Sequence, residues 1–193
     1  MTAIDRVSLR DFRLSPVEPQ HTAELFRWAV SLDAGFRWRY GGGTPSPAQF
    51  TESLWAGVLC QYVVVDRKAQ LHGLVVGYGA DHVHQFAYFA VQGNPDRASG
   101  TGAMIGVLQL VDHMFASWPF RKLYVDIPGY NEAEFTGVLR RHLEVEGRLV
   151  GHVYHGGRFW DMITATLTRE RWYTTVRPRF AALLAQSPTR GSA

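Results

Sequence analysis

Arg97-Ala98-Ser99-Gly100-Thr101-Gly102-Ala103 stands between an extended apolar run, Val83 to Val91, and a helix-like run, Met104 to Phe115. A glycine-rich loop between a strand and a helix is suited to holding phosphates. Glycine lets the backbone approach a ligand closely, and the first N–H groups of a helix have no partner within it. Those donors and the positive end of the helix dipole favour an anion. Arg97 adds a full positive charge at the mouth. The loop is neither a dinucleotide fingerprint nor a P-loop: Ile105 stands where the third glycine would fall, and the segment has no lysine. The pattern present is Arg-x-x-Gly-x-Gly followed by a small residue. A tight turn with a helix N-cap is the alternative reading.

The chain has 193 residues, which suits one domain with a sizeable core. Apolar residues make up 46% and charged residues 19%, so the composition is that of a folded rather than a disordered chain. No apolar run approaches the length of a membrane span. Met1 to Leu14 carries charges among its hydrophobic residues and reads without a signal-peptide core. Cys60 is the sole cysteine, so it reads as a small buried hydrophobe rather than a nucleophile. These features lead us to expect a cytoplasmic protein. The formal charge of +3 is modest and the arginines are scattered, which argues against a nucleic-acid surface.

Further along the chain, Ser8 to Leu14 reads as an edge strand and Glu18 to Leu32 as a helix. Gly35 to Pro47 reads as a loop holding Phe36, Trp38 and Tyr40 beside three glycines. Ser46 and Pro47 open a second helix, to Ala56. Strands are expected at Gln61 to Asp66, Gln70 to Tyr78 and His82 to Val91, and at Lys122 to Ile127 after the phosphate-type loop and its helix. Asn131 to Arg141 reads as a helix. Leu143 to Tyr154 and Arg158 to Leu167 form a hairpin turning at His155-Gly156-Gly157. Arg169 to Trp172 begins a last helical turn. The fold class is α/β (α+β): one domain over residues 1–180, a mixed, mostly antiparallel sheet flanked by helices, in the order β-α-α-β-β-β-α-β-α-β-β. Residues 181–193 read as a frayed tail.

That order, with the Arg97 to Ala103 loop after the fourth strand, resembles the GNAT N-acetyltransferase superfamily over nearly the whole chain. Tyr154-His155-Gly156-Gly157-Arg158-Phe159-Trp160-Asp161 and the closing Glu170-Arg171-Trp172 look like the ribosomal-protein N-terminal acetyltransferase branch. The resemblance implies acetyl-coenzyme A, or another acyl-coenzyme A, as co-substrate. By it, the backbone of Ala98, Ser99, Gly100, Thr101, Gly102 and Ala103 holds the pyrophosphate, with Arg97 alongside. Phe89, Ala90 and Val91 pair with the pantetheine arm, and Asn131 lies near it; a helix N-cap is the other reading of Asn131.

The catalytic groups are less plain. The family's fourth-strand glutamate is absent, and its tyrosine position falls near Val138 and Leu139. His84 is the candidate base, since histidine titrates near neutrality. Phe36, Trp38 and Tyr40 are expected to border the acceptor, with Tyr154 and Trp160 forming the opposite wall. His152 and His155 lack a third ligand at recognisable spacing, so no metal is assigned. The function expected is N-acylation, most simply acetylation, of a small-molecule amine. A protein N-terminal acetyltransferase and a catalytically idle acyl-coenzyme A-binding protein are the alternatives. The partner is then a small amine or a peptide N-terminus, with neither nucleic acid nor membrane; assembly as a homodimer stays open.

Overall fold

The structure, a computed structural model, describes residues 11–32, 35, 40–97 and 99–186. Its elements are β1 (Arg13–Pro16), α1 (Pro19–Ala29), α2 (Pro47–Ser53), β2 (Val58–Val65), β3 (Leu71–Asp81), β4 (Phe86–Gly93), α3 (Thr101–Ser117), β5 (Lys122–Pro128), α4 (Glu132–His142), β6 (Glu144–His155) and β7 (Arg158–Thr168). A helical run then continues through α5 (Arg169–Arg171), a π-helical turn (Trp172–Val176) and α6 (Arg177–Gln186). The expected order is present, with a C-terminal helix added to it.

The strands form one sheet in the order β1-β2-β3-β4-β5-β7-β6. Every neighbouring pair is antiparallel except β4 and β5. Strand alternation sends side chains to two faces. Val64, Val75, Ala87, Phe89, Leu123, Val125, Ile163 and Ala165 meet α3 and the C-terminal Trp172, Val176 and Phe180 on one face. Val63, Val65, Leu74 and Val76 meet Leu25, Trp28 and Ala29 of α1 and Phe50 of α2 on the other. Trp28 and Leu25 are each 1% exposed, and burying a side chain of that kind contributes on the order of 1.5–3 kcal/mol.

Local chemistry sets the element ends. Ser46 Oγ accepts from the Gln49 N–H at 3.2 Å, while Gln49 Oε1 accepts from the Ser46 N–H at 2.8 Å, so α2 opens with a reciprocal cap. Gly156 and Gly157 have φ of +59° and +81°, and this two-residue turn closes the β6–β7 hairpin. Pro16 lies within β1, opposite Tyr62; an edge strand tolerates the missing N–H.

Two expectations are corrected. The fourth strand does not begin at His82: residues 82–85 form the turn from β3 to β4, with Gln85 at φ +59°. The Asp81 carboxylate accepts the His84 N–H at 2.7 Å, and the His84 carbonyl accepts from Arg121 Nε at 3.1 Å. Those bonds hold the turn through backbone atoms. The helical run continues past residue 180, where the domain was expected to end, since α6 runs to Gln186. Trp172 is fully buried and donates its indole N–H to Asp112 at 3.1 Å, anchoring the run to α3.

Candidate acyl-donor and acceptor site

The parallel strands β4 and β5 stay together for three residue pairs, Phe86↔Lys122, Ala87↔Leu123 and Tyr88↔Tyr124. Beyond them the strands part. Phe89, Ala90 and Val91 remain paired to β3, opposite Gly77, Val76 and Val75. β5 continues against β7 as far as Pro128↔Met162. A wedge therefore opens at the carboxyl ends of two parallel strands, where open α/β sheets bind ligands. The β4 edge facing the wedge carries backbone groups with no strand beside them. An extended ligand with amides can add there as a strand would.

The loop from β4 to α3 closes one side of the wedge. Asn94 Nδ2 donates to the Leu71 carbonyl at 2.9 Å, and Asn94 Oδ1 accepts the Asp96 N–H at 2.9 Å. Arg27 pairs with Asp96 at 2.9 Å, and Arg97 donates to Gln70 Oε1 at 2.9 Å. The loop is thus fastened at its start, from Asn94 to Arg97. In α3 the Met104 N–H is bonded to the Gly100 carbonyl at 3.0 Å. The N–H groups of Thr101, Gly102 and Ala103 precede that bond; Thr101 is served by Ser99 Oγ at 3.2 Å. Ala98 lies outside the described residues.

The two glycines differ. A Cβ on Gly100 would meet nothing within 4 Å. A Cβ on Gly102 would stand 2.7 Å from Phe12 and 2.8 Å from His72. Gly100 faces open space, as a residue beside a ligand must. Gly102 faces the core and lets α3 settle on β3.

The other side of the wedge is the turn after β5. Residues 129–131 form a short 3-10 turn, so Asn131 ends that turn and Glu132 begins α4. The Asn131 Oδ1 atom is buried with no hydrogen-bond donor among the described residues. The hairpin tip packs over this turn: Tyr130 lies 4.9 Å from the His155 ring and 5.9 Å, edge-on, from Trp160. Trp160 donates to the His155 carbonyl at 3.0 Å, and Arg158 covers its face at 3.4 Å. A cleft of about 240 Å³ lies there, lined by Gly129, Glu132, Arg148, Phe159, Trp160 and Asp161 among others. Arg148 bridges Glu132 at 2.9 Å and Asp161 at 3.2 Å. The Gly151 N–H and then Arg148 hold the Asp161 carboxyl below its usual range.

The candidate residues are distributed unevenly. Phe89, Ala90 and Val91 form the β4 side of the wedge, Asn131 follows β5 on the other side, and Ser99, Gly100, Thr101, Gly102 and Ala103 lead into α3, with Arg97 turned to Gln70. Trp160 borders the cleft beside the wedge. Tyr154 is 64% exposed and packs on Phe159 at 5.1 Å, farther out on the hairpin. Tyr40 packs on Phe50 at 6.2 Å and its hydroxyl meets Ser53 Oγ, which ties it to α2. Phe36 and Trp38 lie outside the described residues. His84 is not brought to the wedge. It sits in the turn before β4, at the opposite end of the β4–β5 pairing, with its side chain exposed.

One constellation escaped sequence reasoning. Tyr78, Tyr88, Tyr124 and Asp126 stand on the face opposite α3. Their signal was the alternation in Lys122 to Ile127, whose polar members fall at every second residue. Cys60, by contrast, is placed as expected: it is 7% exposed, and burial pushes its thiol up to about 11. Among the described residues no helix is long and apolar enough to cross a membrane.

No protein-family model matches the chain, and no curated protein matches it significantly. Solved structures do. The spermidine N-acetyltransferase from Vibrio cholerae in complex with CoA and spermine gives a TM-score of 0.76 at 16% identity, over 86% of this chain and 99% of that one. A chimera of that enzyme with hSSAT gives 0.73 at 17% identity, over 85% and 99%. The same Vibrio cholerae enzyme in complex with manganese ions gives 0.70 at 16% identity, over 86% and 96%. The fold of this chain is the fold of those proteins.

Proposed function

We propose that this chain is an acyl-coenzyme A-dependent N-acyltransferase that moves acetyl from acetyl-coenzyme A to the amine of a small molecule. The observation that carries the reading is the β4–β5 wedge leading through a tethered loop onto the open first turn of α3. Structures with the same fold are spermidine N-acetyltransferases, one of them in complex with CoA and spermine. Acetyl-coenzyme A supplies a thioester already activated for transfer. The residues present fit that co-substrate. Gly100 leaves room for a pyrophosphate, the N–H groups of residues 102 and 103 meet an anion, and the Asn131 Oδ1 atom lacks a donor that a pantetheine amide N–H supplies.

Within this reading the β4 edge at Phe89, Ala90 and Val91 aligns the donor by backbone bonds. Alignment alone replaces much catalytic machinery when the reactant is activated. Phe36 and Trp38, on the connection between α1 and α2, and Trp160 at the hairpin tip belong to the acceptor side. A cytoplasmic location and a homodimer complete the reading. The outer strand β6, which exposes Val145, Leu149 and Val150, supports the dimer.

The test is direct. Coenzyme A at about a hundred times its dissociation constant should stabilise the fold by roughly 2.7 kcal/mol. Free-thiol release from acetyl-coenzyme A over a panel of amines should then show turnover. No calorimetric heat and no shift in Tm at saturating coenzyme A overturn the reading. Binding without turnover on any amine leaves an idle acyl-coenzyme A-binding protein. Turnover confined to peptide N-termini replaces the small-molecule acceptor.

A further inference from the structure

The helices α1 and α2 cover the second face of the sheet over β2 and β3 only. Farther along that face, β4, β5 and β7 present Tyr88, Tyr124, Asp126 and Thr164, with Tyr78 at the border on β3. The ring centroids of Tyr78 and Tyr88 lie 5.6 Å apart, and those of Tyr88 and Tyr124 lie 5.4 Å apart. The three rings make a continuous wall across the parallel pair.

The register places Asp126 at a particular point. Tyr88↔Tyr124 is the last pair joining β4 to β5. Asp126 is the next residue of β5 on the same face, opposite Thr164 of β7. It therefore stands where the wedge opens, on the side away from α3. The Thr164 hydroxyl donates to Asp126 Oδ1 at 2.7 Å and orients the carboxylate. Glu146, the carboxylate beside Tyr124, is already matched, by Lys122 and by the Tyr124 hydroxyl at 3.0 Å. Asp126 has no cationic partner among the described residues. Burial first, and the Asp126 charge second, push the Tyr78 hydroxyl up to about 12, so this phenol stays protonated as a hydrogen-bond donor.

We propose that Asp126 and the wall of Tyr78, Tyr88 and Tyr124 recognise the acceptor, and that it is a primary alkylamine bound in its ammonium form. The inference rests on the N-acyltransferase reading and adds the acceptor's chemical class and the residues that select it. The carboxylate pairs with the ammonium at the mouth of the wedge. The hydrocarbon body lies over the tyrosine rings, whose faces attract a cation and offer apolar surface. An acceptor with its own carboxylate beside the amine is repelled by Asp126.

The experiment uses the full chain with acetyl-coenzyme A, comparing phenethylamine with phenylalanine, which differ by one carboxylate. Wild type should prefer phenethylamine. Asp126→Asn should raise the phenethylamine KM at least tenfold, leave the acetyl-coenzyme A KM within twofold, and shrink the preference over phenylalanine. An unchanged phenethylamine KM, or an unchanged preference, overturns the proposal while the N-acyltransferase reading stands. Asp126→Ser keeps a partner for Thr164 and removes the charge, so it reads the same outcome if Asp126→Asn loses Tm. Should wild type bind coenzyme A yet turn over neither compound, calorimetric binding of phenethylamine to the coenzyme A complex decides. Binding that Asp126→Asn abolishes supports the proposal, and its absence in wild type overturns it. Failure of wild type to bind coenzyme A overturns both readings together.

Discussion

Gly100 and Gly102 stand two residues apart with opposite surroundings. An aspartate at position 100 projects into open space at the N-terminus of α3. There its charge favours the helix by about 0.3–1 kcal/mol, while it repels a pyrophosphate. Gly100→Asp should therefore keep or slightly raise Tm and lose coenzyme A affinity by tenfold or more. At position 102 even a methyl group meets Phe12 and His72 below 3.0 Å. Gly102→Ala should cost roughly 1–3 kcal/mol, as overpacked core sites do. Thermal melts and calorimetry on the two variants separate the roles. Equal Tm loss in both, or unchanged coenzyme A affinity in Gly100→Asp, removes the phosphate role from this turn. The sequence shows Gly-x-Gly and no more. Which glycine meets solvent depends on the phase of α3 against β3, which only packing fixes.

Element by element, the strands were the most legible because alternation reports one buried face. Alternation does not say which face a helix covers. Tyr124 and Asp126 were thus visible as polar members of β5 without any sign that they share a wall with Tyr78 and Tyr88. His84 was misplaced for a related reason: Val83 looked like the start of an apolar strand, but the left-handed Gln85 and the bond to Asp81 make it a turn. The C-terminal helix was missed because residues 177–186 mix arginine, proline and alanine; its anchor, Trp172 on Asp112, is a contact distant in sequence. β6 was legible as a strand, but its position at the sheet's edge was not. It leaves Val145 58%, Leu149 50% and Val150 86% exposed. An exposed apolar edge invites pairing with a second copy, and a two-fold axis makes such a contact self-complementary. Sedimentation should find a dimer at micromolar concentration. Val150→Lys, a charge on that edge, should weaken it at least tenfold without changing coenzyme A binding. A monomeric wild type rules this interface out.

At the scale of the molecule, the proposed function divides two jobs between the faces of the sheet. Residues 99–103 and α3 lie on one side of the wedge, and the tyrosine wall with Asp126 lies on the other face. The strands part between them, so donor and acceptor can meet through the sheet without the acyl group being passed to the protein. A protein-bound acyl group would need a nucleophile, and the sole thiol does not serve. Cys60 is enclosed beside Gly77 and Met114, and its thiol is pushed up to about 11, so thiolate is scarce at neutral pH. A relay through Cys60 is thereby set aside, and the proposed function then has both substrates present at once. Initial rates with acetyl-coenzyme A and amine varied together should give intersecting reciprocal lines. Cys60→Ala should keep kcat within about twofold, since the side chain is enclosed in the core beside Gly77 and Met114. It should lower Tm, because it removes a buried sulfur from a packed site. Parallel lines, with labelled acetyl retained on the protein after coenzyme A is removed, would show a covalent relay and end this division of labour across the sheet.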